Sequence, residues 1–392
     1  MRRSARTAVI FVVLLISGMT CGYAQDSTDT SKILNEYAEV YGDIFTDGIE
    51  SLDDGFLGKN YEFDAKCILK DLNSGRLFAD EREIINLLLK ILLDEVLTSA
   101  KLMAIVLAMA VLSSYLSELK SGFGKDSVSE CAFFVCYIII AGIAATAFYE
   151  AVECTTLAVD KIAFFMRVLV PIMITILMTS GAVISAATLE PALLTMIEVT
   201  VFVIENALIP VAMASTALNI VGGMSDRFKT DRLVNLLNTA VRWGLTVTLT
   251  IFVSLSGLKS IAASGADGLA VRLSKFATTN LVPIVGGILS ESAETVMNCS
   301  GVIRNSVGIL GIICIVLIAA GPVIKLGAMA ILMRLTAAVT ELVSDPKIVG
   351  CLSRLASSVS VLFSMVTVVM VMFVMAVTII INAGNIAVTL GG

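Results

Sequence analysis

Long stretches without a single ionisable side chain constrain this chain most: residues 102–117, 132–149, 168–189, 206–225, 305–324 and 355–392 contain no Asp, Glu, Lys or Arg. A helix needs about 20 apolar residues to cross the hydrocarbon of a bilayer. In 392 residues, 57% are hydrophobic and 15% charged, and mean hydropathy is +0.94. A soluble domain carries about 25% charged residues, so the pattern predicts an all-α polytopic membrane protein, a helical bundle in a lipid bilayer.

The absence of His removes imidazole ligands, a His general base and the zinc motif HExxH. No Walker A sequence and no CxxC pair occur. Gly265-Ala266-Asp267-Gly268 puts an Asp among glycines, but not in the order of an intramembrane protease. The expectation is a chain with no catalytic, cofactor or metal site, hence not an enzyme. Residues 26–100 hold 17 acids against 7 bases. Such an acidic segment offers nothing to nucleic acid, whose binding depends on Lys and Arg neutralising phosphates.

Arg2, Arg3 and Arg6 precede an apolar run, and Gly22-Tyr23-Ala24 supplies small residues where a signal peptidase cuts. Residues 1–24 read as a signal peptide, with an uncleaved first helix as the plainer alternative and a lipoprotein through Cys21 as a weaker one. Residues 25–100 follow as an acidic extracytoplasmic segment, with apolar Ile84, Leu88, Ile91 and Leu92 at helical spacing marking a surface amphipathic helix. Residues 101–150 read as a helical hairpin whose short loop, with Lys120 and Lys125, faces the cytoplasm. Glu150, Glu153 and Asp160 are expected to return the chain to the outer side. Trp243 beside Arg242 reads as an interfacial anchor.

The remainder divides into two membrane repeats, 160–260 and 272–392. Leu169-Val170-Pro171-Ile172 recurs 112 residues later as Leu281-Val282-Pro283-Ile284, and Pro210-Val211 recurs as Pro322-Val323. Pro171, Pro210, Pro283 and Pro322 are the candidate helix breaks, since proline removes a backbone donor and clashes with the preceding turn. Interrupted helices in repeats characterise transporters, and inside a membrane they persist where protein or water satisfies the freed groups.

Glu190, Glu198 and Glu205 lie within about 80° of one helical face. Carboxylates in apolar helices are costly unless they face water, a partner or a bundle interior. They are candidates for a polar path, with Glu291 and Glu294 behind them. The plain reading sets Glu190 at a helix start before Pro191 and pairs the others with bases such as Arg167. Gly181, Gly222, Gly223, Gly308 and Gly311 read as close-packing positions.

Together with the Leu169–Ile172 segment, three further stretches carry a resemblance: Thr179-Ser180-Gly181-Ala182-Val183-Ile184-Ser185-Ala186-Ala187, Asn305-Ser306-Val307-Gly308-Ile309-Leu310-Gly311 and Thr378-Ile379-Ile380-Ile381-Asn382-Ala383-Gly384-Asn385. With them, and residues 277–287, the chain resembles the stage III sporulation protein AE family of endospore-forming bacteria. The resemblance implies a multi-pass, permease-like component of the transenvelope complex in the mother-cell membrane facing the forespore. It also implies partners: ring-forming subunits, a cytoplasmic ATPase and a forespore membrane protein. Two functions stay open, a conducting core, expected as a homo-oligomer, and a non-conducting scaffold that anchors ring and motor. An independent secondary transporter is the third.

Overall fold

The computed structural model describes residues 103–112, 126–224, 230–281, 286–342 and 344–391, with single positions 97, 100 and 115; the side chains at 126–133, 223–224, 231, 274–281, 286–294, 298 and 386–391 are not described. The signal peptide, nearly all of the acidic segment, the loop with Lys120 and Lys125, and Pro283 lie outside the described residues.

Every described element is helical. A short helix α1 covers Met103–Leu112. It is followed by α2, Asp126–Thr179, α3, Val183–Val203, a π-helical turn at Ile204–Leu208, α4, Ile209–Met224, α5, Asp231–Leu281, α6, Gly286–Glu341, and α7, Pro346–Gly391. Among the described residues, five segments are long and apolar enough to cross a membrane: Phe134–Thr179, Val183–Gly222, Arg232–Leu273, Thr295–Glu341 and Pro346–Asn385. The protein is a polytopic all-α membrane protein. At 54 and 56 residues, α2 and α6 are about 80 Å long, against about 30 Å of bilayer hydrocarbon.

Helix α7 is the axis. Ile348, Leu352, Leu355, Val359, Leu362, Val366, Val369, Phe373, Ala376, Ile380 and Ala383 alternate four and three residues apart and are all at most 1% exposed. This spacing keeps one apolar seam facing its neighbours along the whole helix. Met365, Met372 and Val377, on its other sides, are also fully buried, because α2, α3 with α4, α5 and α6 all pack on it. The axis is therefore occupied by side chains. Phe252 of α5 meets Phe373 there, ring centroids 6.2 Å apart.

Contacts fix the directions. Arg167 meets Glu198 across the turn at 180–182, so α2 and α3 are antiparallel. Ile184 meets Asp267, Met196 meets Ser256 and Ser215 meets Asn238, so α5 runs back along α3 and α4. Arg304 meets Asn385 and Arg334 meets Ser360, making α6 and α7 a second antiparallel pair. Close approach of α6 to α2 and α7 depends on glycine: a Cβ at Gly311 would lie 2.6 Å from Leu169, and one at Gly308 would lie 3.1 Å from Met173 and overlap Ile381.

Several boundaries differ from the sequence expectation. Glu150, Glu153 and Asp160 do not turn the chain; α2 runs straight through them. Spaced three and ten residues from the first, they occupy one exposed stripe of the helix, so no apolar face is interrupted. The reversal falls instead at 180–182, where Gly181 takes φ 84°, a left-handed conformation that favours glycine. Pro191 does not start a helix, since α3 begins at Val183. Pro171 and Pro322 both sit inside uninterrupted helices. The positions 112 residues beyond the 180–182 turn lie within α6, so that turn does not recur at this spacing.

Pro210 behaves differently. The π turn directly precedes it, with the Ile209 N–H bonded to the Ile204 carbonyl. One extra residue per turn widens the helix where the proline ring would otherwise strike the preceding turn. Asn206 Nδ2 donates to the Phe202 carbonyl, 3.2 Å away, within the same widened segment. At the other chain reversal, Asp345 Oδ1 accepts from the Lys347 N–H, 2.9 Å away, and Pro346 opens α7: an N-cap followed by a first-turn proline.

Candidate functional site: ionisable residues in an apolar bundle

Two groups of ionisable residues stand out, one buried at the α2–α3 turn and one exposed to half-buried near mid-length of the 183–224 rod.

The buried group closes the turn. Ala182 precedes α3 and has no capping side chain, so the first N–H groups of α3 need acceptors from elsewhere. Asp267 of α5 supplies them: its Oδ1 accepts from Ile184 N–H, 2.7 Å away, and its Oδ2 from Ser185 N–H, 2.8 Å away. Asp267 is 1% exposed. A carboxylate so deep is stabilised both by two N–H donors and by the positive end of the α3 dipole.

Arg304 of α6 complements the other side of the turn. It is completely buried, and it donates from Nη1 to Ser180 Oγ, 2.8 Å away, and from Nη2 to Asn385 Oδ1, 2.6 Å away. Ser180 Oγ in turn donates to the Leu177 carbonyl, 2.8 Å away, in the last turn of α2. The cation thus sits at the negative end of the α2 dipole. Gly384 makes room for it, because a Cβ there would overlap the guanidinium. Acid at the start of one helix and base at the end of the other hold the turn into the bundle through α5, α6 and α7.

The exposed group lies on the outward side of α2 and α3. Arg167 Nε donates to Glu198 Oε1, 2.6 Å away, and Nη2 donates to Glu198 Oε2, 3.1 Å away; the two side chains are 39% and 59% exposed. One helical level further on, at the π turn, Glu205 faces Asp160 with Arg167 close by. Glu198 and Glu205 fall near the middle of the continuous 183–224 rod. Glu190 is half-buried nearer the turn, and the side chains of Glu291 and Glu294 lie outside the described residues. The structure thus brings Glu198 and Glu205 together with Asp160 and Arg167 and leaves Glu190 apart.

An exposed charge in hydrocarbon costs about 2.5–3.5 kcal/mol by insertion scales, so this face calls for water or a polar partner. Among the described residues no group of three His, Cys, Asp or Glu is arranged to hold a metal ion.

These features define a polytopic α-helical membrane protein with a filled axis, an internally capped helical turn and a charged outer face. The family model of Stage III sporulation protein AE matches residues 63–384, and the chain belongs to that family. Stage III sporulation protein AE of Bacillus subtilis (strain 168) is 30% identical over 359 residues, covering 92% of this chain and 87% of that protein. No solved structure matches the chain.

Proposed function

We propose that this stage III sporulation protein is the membrane-embedded, permease-like component of a channel or secretion complex between mother cell and forespore. It sits in the mother-cell membrane that faces the forespore and has no catalytic step of its own. Its partners on this reading are ring-forming subunits, a cytoplasmic ATPase and a forespore membrane protein, and it works as a homo-oligomer.

The observation that carries the reading is the placement of Asp160, Arg167 and Glu198 on the outside of an apolar bundle, with the half-buried Glu205 against Asp160. With α7 filling the axis, the polar path runs along this outer face, between one molecule and the next. The filled axis equally favours a second reading, a non-conducting scaffold that anchors ring and motor, and substitution separates the two. Glu198→Gln with Glu205→Gln keeps shape and removes charge. At normal protein level and normal assembly, loss of heat-resistant spores supports the path; full spore yield removes these carboxyls from it.

A further inference from the structure

Helix α7 has a second side. Opposite its buried apolar seam, Ser357, Ser360, Ser364 and Thr367 follow one another three and four residues apart, and Asn382 and Asn385 continue the same line, all within about 80° around the helix. Each of the six is half-buried or exposed, although Pro346–Asn385 is apolar enough to cross a membrane. Val371 and Met375 fall on the same line and separate a longer polar half from a shorter one. The four hydroxyls donate to backbone carbonyls four residues back on their own helix. The stripe is therefore tolerable in an apolar setting, and each hydroxyl can rotate to donate to a ligand instead.

Two guanidiniums from α6 close on this line. Arg334 Nη2 donates to Ser360 Oγ, 2.8 Å away, and Arg304 Nη2 donates to Asn385 Oδ1, 2.6 Å away. Neither has a carboxylate partner among the described residues. Arg304 is completely buried, and its Nε has no acceptor; Asp267, buried at the same turn, is committed to two N–H groups. A buried cation held by neutral groups alone is costly, and a buried donor without a partner calls for an acceptor. Positions 360 and 385 are 25 residues apart, about 37 Å along the helix, against about 30 Å of hydrocarbon. Neither α7 nor the 305–333 part of α6 holds an Asp or Glu. A positive charge thus stands at each end of a stretch about one membrane thick, with no negative charge on either helix between them.

We propose that this side of α6 and α7 is an oxyanion lane, which takes a phosphate or carboxylate group between Arg334 at one end and Arg304 at the other. The hydroxyls of Ser357, Ser360, Ser364 and Thr367 hydrogen-bond the anion along the longer polar half, and the amides of Asn382 and Asn385 do so along the shorter. Val371 and Met375 form an apolar collar between the halves, a constriction of the kind that gates by dewetting. The sign of the lane is opposite to that of the acidic α2–α3 face, and the lane stands whether or not water runs along that face.

The test is thiol reactivity in the full-length chain, reconstituted in phosphatidylcholine vesicles. Ser364→Cys and Asn382→Cys, one in each polar half, are made in a background where the exposed Cys299 is replaced by Ser, and reaction of the parent without an added cysteine is subtracted. An anionic and a cationic thiosulfonate of similar size are compared, each normalised to its rate with a free thiol. The expected result is a preference for the anionic reagent of about tenfold or more at both positions, the lower end of what a cleft of one charge gives. Adding Arg334→Gln, which keeps a donor for Ser360, should remove most of the preference at 364 and leave that at 382 unchanged. Equal rates, faster reaction of the cation, no reaction at either position, or a preference at 364 that survives Arg334→Gln would overturn the lane. Should a cysteine variant fail to accumulate, Thr367→Cys or Thr378→Cys, half-buried on the same line, takes its place. A neutral maleimide then identifies the source of the anion at Ser364→Cys. Slowing by inorganic phosphate marks a soluble oxyanion, and slowing only in vesicles that contain phosphatidylglycerol marks a lipid phosphate. Slowing by neither would refute the binding.

Discussion

Asp267→Asn tests the capping of the α2–α3 turn. In the native chain the carboxylate is 1% exposed and accepts the N–H groups of Ile184 and Ser185 at 2.7 and 2.8 Å. The amide keeps one acceptor oxygen and turns an NH2 group toward the second N–H, leaving a buried donor unpaired at a cost of about 1–3 kcal/mol. Loss of the negative charge at the helix start adds about 0.3–1 kcal/mol. A total of about 1.3–4 kcal/mol multiplies the opening of the turn by roughly 10- to 900-fold. Hydrogen exchange of a peptide spanning 180–190 in detergent reports that opening, with Glu190→Gln as the control, since that substitution leaves the cap intact. Faster exchange confined to Asp267→Asn is expected. Unchanged exchange in correctly folded Asp267→Asn would mean that α3 does not depend on α5 for its cap.

Gly384→Ala is expected to push the Arg304 guanidinium from its site, lowering the melting temperature in detergent by an amount corresponding to about 1–3 kcal/mol. Arg304→Met should relieve that clash, so the double variant should lose less than the two single losses combined. Gly311→Leu should separate α6 from α2, where even a Cβ would approach Leu169 to 2.6 Å; poor accumulation in the membrane checks this, with Gly142→Ala, whose Cβ has nothing within 4 Å, as the tolerated control. A double-mutant cycle on Arg167 and Glu198, 39% and 59% exposed, should give a coupling below about 1 kcal/mol if water reaches the pair. A much larger coupling would place it in a dry contact.

Polarity made the helical class and some of the boundaries legible. The ionisable residues of 226–232 separate α4 from α5, and Asp345-Pro346-Lys347 opens α7, because apolar segments end where charge accumulates. Glu150, Glu153 and Asp160 misled for a related reason: charge on one stripe of a helix looks, in a linear sequence, like charge in a loop. A helix tolerates Pro171 and Pro322 where neighbouring helices hold it, whereas at Pro210 a π turn absorbs the clash.

The buried group at the turn was the least legible. Asp267 attracts notice in the sequence only as part of a protease motif in the wrong order. Its actual partners are backbone N–H groups more than 80 residues away, which leave no trace in spacing. Arg304, beside an uncharged run, was the available signal: a base at such a position needs an acceptor, and Ser180 and Asn385, both inside the stretches that carry the family resemblance, provide it. Gly181 looked like one more packing glycine, and only its backbone angle reveals the reversal.

Thiol labelling of the assembled complex in sporulating cells tests most directly where water runs. Single cysteines at Glu198 and Glu205, on the outer face, are compared with single cysteines at Leu362 and Val369, which line the axis, using a charged reagent that does not enter lipid. Labelling at 198 and 205 with protection at 362 and 369 is the predicted result. Labelling along the axis with a protected outer face would contradict it.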